Sequence, residues 1–159
     1  MMDREQAAQR ALTWEGTPYY RGGRIKGPRG GVDCGTLLAG YLVDIGRCPP
    51  AEMDALLDEL GFLSNDWFCH AETEKYLDAL AKYAAPRWLG ICRGTPPAQP
   101  GDIALYRVNG SKRFNHGSII LGWPSALHAF SERVAVARPA LLSLTSHAEM
   151  AIFDPWGIA

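Results

Sequence analysis

Cys34 stands in the run "GGVDCGTLLAG", between an acid and a glycine, with an apolar helical pattern directly behind it. A cysteine at a helix start has two chemical assets. The helix dipole and the unpaired N–H groups of the first turn favour thiolate over thiol, and the same N–H groups can donate to a developing oxyanion. A thiol nucleophile also needs a positioned base and a group that orients that base. The histidines are His70, His116, His128 and His147. His116 opens "HGSIILGW" and His128 lies inside "ALHAF", two β-like runs separated by a turn around Gly122 to Ser125. On adjacent antiparallel strands the two imidazoles would be cross-strand neighbours, one facing the thiol and the other orienting it. His70 precedes a helical pattern, and His147 follows "SLTS" in a loop. Asp33 would oppose ionisation if it pointed at the sulfur, so it is expected to turn away as a helix cap.

The elements that must position these residues come in two textures. Residues 3 to 13 read as a helix capped by Asp3, and "WEGTPYYRGGRIKGPRGG", with six glycines and two prolines, reads as a loop. A helix should run from Cys34 to about Ile45 and stop at Gly46, with Leu37, Leu38, Tyr41, Leu42 and Ile45 facing a core. "PPAEMDALLDELG" and "HAETEKYLDALAKYAAP" read as two more helices. After the turn-rich "TPPAQPGD" come five β-like runs: "IALYRV", "HGSIILGW", "ALHAF", "RVAVA" and "EMAIF". Helices followed by an antiparallel sheet predict an α+β domain, one unit over 1–159.

Bulk properties narrow the function classes. The chain has 159 residues, 47% hydrophobic and 21% charged, with a net charge of −1. That balance argues against nonspecific nucleic-acid binding, which needs a basic field over a face. No apolar run approaches a membrane span, and the charged start "MMDREQAAQRAL" has no apolar core of a signal peptide, so synthesis in the cytoplasm is the expectation. Cys34, Cys48, Cys69 and Cys92 form no CxxC pair, so neither a metal site nor a cofactor is expected, and the last three read as packing residues. Trp14 and Trp123 read as packing residues too, as do Trp67 and Phe68, for which a substrate-groove wall and an assembly contact are the alternatives.

Three blocks resemble the NlpC/P60 superfamily of papain-like cysteine peptidases. "GTPYYRGG" is similar to its G-x-P-Y-x-x-G-G segment, and "VDCGTLLAGYLVDIG" to its D-C-S-G nucleophile helix. "QPGDIALYRV" followed by "NHGSIILGWPSALHAF" resembles its P-G-D strand, its H-x-G-I-Y strand and a last strand ending in I-H-A. The resemblance implies Cys34 as nucleophile, His116 as base, His128 as the third polar residue and Tyr19 as a tyrosine whose hydroxyl faces the site. It implies a papain-like fold, with the nucleophile helix packed on a five- to six-stranded antiparallel sheet. The implied activity is hydrolysis of amide bonds in peptidoglycan stem peptides. Gly35 replaces the family's usual serine, which puts hydrogen bonding near the oxyanion in question. Gly117 stands where a β-branched residue is common and is expected to loosen its strand. The segment from about 47 to 95, read as a helical insertion, together with "DCGTLLAG" and the charged N-terminus, resembles the phage-tail and prophage-associated branch. That branch implies tail proteins as partners and delivery to the cell wall in a tail particle.

Arg21, Arg24, Lys26 and Arg29 precede the nucleophile with no acid among them. Arg24 and Arg29 are candidates to bind the carboxylates of an acidic peptide, against the alternative of a solvated loop. Two other functions share these motifs: an amidase or acyltransferase on the same scaffold, and a structural tail-assembly protein with a vestigial site.

Overall fold

A computed structural model describes residues 2–60 and 74–158. Helix α1 (Arg4–Leu12) starts where the Asp3 carboxylate accepts from the Gln6 N–H and the Gln6 side chain reciprocates. Its buried alanines, Ala7, Ala8 and Ala11, form a small-residue face that packs on the sheet. The glycine-rich segment contains a short antiparallel pair, β1 (Arg24–Ile25) and β2 (Gly31–Val32), where only loop was expected. Strands of two residues carry no alternation to detect. Their signature is in the glycines instead: a Cβ on Gly30 would fall 1.9 Å from the Ile25 carbonyl oxygen.

Helix α2 (Cys34–Asp44) runs as predicted, and Gly46 just beyond it takes a positive φ of 79°. Leu37, Leu38, Tyr41 and Leu42 are buried, with Ile45 beside its end. Helix α3 (Pro50–Leu60) lays Met53, Leu56 and Leu57 against it. Helix α4 (Lys75–Leu80) is shorter than the 70–86 pattern suggested. The chain turns after Leu80 and enters a strand, β3 (Ala85–Ile91), that the sequence pattern did not reveal. The reason is local. Pro86 sits beside a bulge at an edge of the sheet, and Leu89 and Ile91 remain exposed, so the run lacks clean alternation.

The other strands match the five β-like runs: β4 (Ile103–Arg107), β5 (His116–Gly122), β6 (Ser125–Ala129), β7 (Val134–Ala137) and β8 (Glu149–Asp154). The six form one antiparallel sheet in the order β3-β8-β4-β5-β6-β7. Ile103, Leu105, Ile119, Leu127 and Phe153 join the helices in one core cluster; Ala104, Tyr106, Ile120, Met150 and Ile152 form a second on the opposite face. Gly117 faces α2 from β5. A Cβ there would lie 2.6 Å from Leu38 Cδ1, so glycine lets Leu38 of α2 pack directly on the strand. Among the described residues no helix is long and apolar enough to cross a membrane.

The P-G-D block has a structural task. Asp102 is fully buried at the start of β4 and pairs with Arg4 of α1 at 2.7 Å and Arg87 of β3 at 3.1 Å. It also accepts from the Gln99 N–H at 2.9 Å. Both arginines continue to Asp154 at the end of β8, and the Arg4 guanidinium lies 4.6 Å over Trp156. One carboxylate thus ties the first helix, an edge strand and the C-terminal strand together. Asp102→Ala should destabilise the protein by roughly 3 kcal/mol, because it leaves two arginines facing an emptied buried position. The midpoint of urea unfolding measures this; a midpoint equal to wild type would show that the node does not hold these elements.

Candidate active site

Cys34 is the first residue of α2 and is only 8% exposed. Asp33 turns away from it as the cap. One carboxylate oxygen accepts from the Thr36 N–H at 2.8 Å and the Thr36 hydroxyl at 3.1 Å, and the other accepts from the Gly22 N–H at 2.8 Å. The same side chain therefore starts the helix and anchors the glycine loop. The Leu37 N–H goes to the Asp33 carbonyl, so these capping bonds use neither the Cys34 nor the Gly35 N–H. Gly35 borders an apolar crevice with Leu38, Met53, Leu56 and Leu80, where a serine hydroxyl would be costly to bury.

The thiol lies 3.9 Å from the carbonyl oxygen of Asn115, the residue before His116. Asn115 is held in turn: its side chain accepts from the Val108 N–H at 2.9 Å and donates to the Val108 carbonyl at 3.2 Å, and its own N–H donates to the Tyr106 carbonyl. It closes the β4–β5 connection and fixes the backbone that presents His116. Sequence reading missed Asn115, because its bonding partner lies across a turn rather than at a fixed spacing.

His116 opens β5 and His128 lies on β6, directly opposite Ser118. The histidines are thus diagonal neighbours on one face, not a directly opposed pair. Their rings are nearly parallel at 13°, and His116 Nε2 and His128 Nδ1 are 3.0 Å apart. This bond engages Nε2 of His116, which leaves Nδ1 to exchange a proton with a group outside the pair. His128 is fully buried, and its Nε2 has no hydrogen-bond partner among the described residues.

Tyr19 is brought to the same end of the molecule. Its strand-like backbone is pinned by the Glu132 carbonyl, and a bridge to Val32 holds it beside β2. Burial raises the pKa of its phenol, the nearby Cys34 and Asp33 add to this, and Arg21 opposes it. The other basic residues of the loop are placed differently. Arg24 pairs with Asp54 at 3.1 Å and Asp58 at 2.7 Å, which straps the hairpin to α3. Lys26 pairs with Asp44 at 2.8 Å and lies over Trp14. Arg29 is exposed in the hairpin turn. His147, with a positive φ of 63°, donates its N–H to the Cys92 carbonyl beyond the end of β3. Trp67, Phe68, Cys69 and His70 lie outside the described residues. Among the described residues no group of three or more metal-binding side chains occurs.

Two solved structures share this architecture. One is the NlpC/P60 domain of the peptidoglycan hydrolase SagA, with a TM-score of 0.57 and 19% identity over 95% of this chain and 98% of that one. The other is a lipoprotein-like NLP/P60 family protein from Staphylococcus aureus, with a TM-score of 0.56 and 19% identity over 93% of this chain but 40% of that one. The fold is the NlpC/P60 fold. No family model and no curated protein matches the chain.

Within this NlpC/P60 fold the histidine pair pays an electrostatic cost for its position. Burial lowers the pKa of His116 from 6.5 to about 4; burial and then the charge of His116 lower that of His128 to about 3. Both are therefore neutral near pH 7. The unfolded chain, with ordinary histidines, binds more protons below pH 6.5 than the folded one. Stability from this source is fully present above about pH 6.5 and falls as the pH drops towards 4 and 3, by about 1.4 kcal/mol per pH unit for each histidine. Unfolding in urea from pH 7.5 to 4.5 should follow that slope, and His128→Asn should remove about half of it. An unchanged slope in the variant would mean that the pair is not its source.

Proposed function

We propose that this chain is a cysteine endopeptidase that hydrolyses amide bonds in peptidoglycan stem peptides. The observation that carries the proposal is the thiol of Cys34 at the N-terminus of a buried helix, against the backbone that leads into His116, with His116 Nε2 bonded to His128. Similarity of fold to the domain of a peptidoglycan hydrolase supports the choice of substrate. Delivery in a phage tail particle belongs to the same proposal and rests on the sequence resemblance.

In the mechanism, Nδ1 of His116 takes the thiol proton as sulfur attacks the peptide carbonyl carbon. For Nδ1 of His116 to carry a free lone pair, its Nε2 must hold the proton and donate to His128 Nδ1, which the 3.0 Å contact between them allows. The N–H groups at the start of α2, with Tyr19 beside them, face the oxyanion. The imidazolium then returns its proton to the leaving amine, which departs and leaves a thioester. Water, deprotonated by His116, attacks the thioester; the carboxylic acid leaves and the proton goes back to sulfur. Arg24 holds the hairpin to α3, and Arg29 is the loop cation offered to a substrate carboxylate.

Muropeptide digests followed by mass spectrometry test this. Cys34→Ala should abolish cleavage while leaving circular dichroism unchanged, and His116→Ala should reduce it roughly 10²- to 10⁴-fold. Normal turnover in Cys34→Ala would overturn the assignment. The products released from intact sacculi identify the bond cut and separate a peptidase from an amidase.

A further inference from the structure

Buried side-chain nitrogens are ordinarily hydrogen-bonded, and a bond at each ring nitrogen fixes both the tautomer and the plane of an imidazole. His128 lacks the second bond: Nδ1 meets His116, and the buried Nε2 has no partner among the described residues. One hydrogen bond leaves an imidazole free to rotate about that contact, and either tautomer could form it. Two aromatic rings supply the missing constraint. Phe130, just beyond β6, stacks on His128 at 5.2 Å between centroids and 23° between planes. Tyr106 of β4 stacks on it at 6.1 Å and 27°, and also meets His116 at 5.7 Å and 39°. Tyr106 is directly opposite His116 in register, and its hydroxyl is locked at 2.8 Å to Ser118, the residue directly opposite His128. Tyr106, held by Ser118 of β5, thus packs against both histidines across three adjacent strands.

We propose that Tyr106 and Phe130 form an aromatic clamp that takes the place of a fourth hydrogen-bonding group, and that they act as positioning residues for the His128–His116 pair. The clamp fixes the ring plane of His128 by packing, and through the single Nε2–Nδ1 bond it fixes where His116 directs its other nitrogen. The groups facing the pair fit this role. Among the described residues, Tyr106 from β4 and Phe130 lie against the pair, and the Cys34 thiol lies against the Asn115 carbonyl that precedes His116. Cys92 at the end of β3 interacts with Tyr106. Burial holds the Tyr106 phenol far above its ordinary pKa, so it stays neutral, and apart from the charge of His116 acting on His128 the histidine shifts come from burial. Nothing but geometry and exclusion of water is left for the aromatic rings to supply.

The proposal rests on the functional reading above only for its kinetic part, and two readouts keep the parts separate. The first is the pH titration and tautomer state of histidine side chains by ¹⁵N NMR in the full chain. Wild type should show His128 with its proton on Nε2 and titrating far below 6.5. Phe130→Leu and Tyr106→Leu should move His128 to a mixed tautomer state and raise its titration towards the ordinary value, whereas Tyr106→Phe, which keeps the ring, should not. The second readout is muropeptide cleavage: the two leucine variants should lose roughly 10- to 100-fold in kcat with KM within about twofold, and Tyr106→Phe should retain most of kcat. Phe130 is only half-buried, so Phe130→Leu tests the clamp even if Tyr106→Leu does not fold. NMR changes as predicted in a wild-type protein without hydrolytic activity would uphold the clamp and remove the functional reading. Unaltered tautomer and titration in Phe130→Leu would overturn the clamp, whatever happened to kcat.

Discussion

The helix that carries Cys34 packs closely on the sheet at Gly117 of β5, where its Leu38 occupies the space that a side chain would take. A Cβ there would meet Leu38 at 2.6 Å, well inside any real carbon–carbon contact, and would also press on Leu105. The close approach has consequences at both ends of the contact. On β5 it sets His116 one residue from Gly117, at the mouth of the strand. On α2 it sets the helix start against Asn115, whose carbonyl meets the thiol. Gly40, three residues beyond Leu37, does the same on another side of the helix, where a Cβ would strike the ring of Trp14 at 2.4 Å. α2 is thus seated by absent side chains as much as by present ones, which is the pattern expected where packing must be dense and the backbone precise.

Polar groups then fix what packing has brought close. Asp33, Asn115 and Asp102 each satisfy backbone or charged groups from segments that would otherwise be joined only by apolar contact. They differ in how far they reach along the chain, and that reach decides what a sequence can disclose. Asp33 bonds three residues ahead, so the cap and the helix start at Cys34 were readable from spacing. Asp102 bonds Arg4, 98 positions away, and nothing local announces that pairing.

The same distinction accounts for the strands. Five of the six sheet strands announce themselves by apolar runs between turns. β3 does not, because an edge position with Pro86 and a bulge frees it from alternation. The histidine pair was legible as two residues on neighbouring strands. Its diagonal register was not, since that is set by the irregular turn at Gly122, where pairing shifts between Ile120 and Gly122. The partners of Arg24 were equally hidden, because Asp54 and Asp58 face the hairpin only after α3 has packed on α2.

Burial of the histidine pair sets the terms on which the proposed chemistry must run. With His116 depressed to about 4, a resting imidazolium is unfavourable, and a preformed thiolate–imidazolium pair loses the charge that would sustain it. The helix N-terminus becomes the main fixed influence favouring charge on sulfur, and Asp33 does not cancel it because its carboxylate is spent on Thr36 and Gly22. Proton transfer to Nδ1 is then best coupled to attack on the carbonyl, when negative charge is passing from sulfur to oxygen and the N–H groups of α2 can receive it. A site of this kind relies on fixed dipoles and fixed ring planes rather than on a standing ion pair. That requirement is consistent with a histidine held by stacked rings on one side and a helix start held by its own cap on the other.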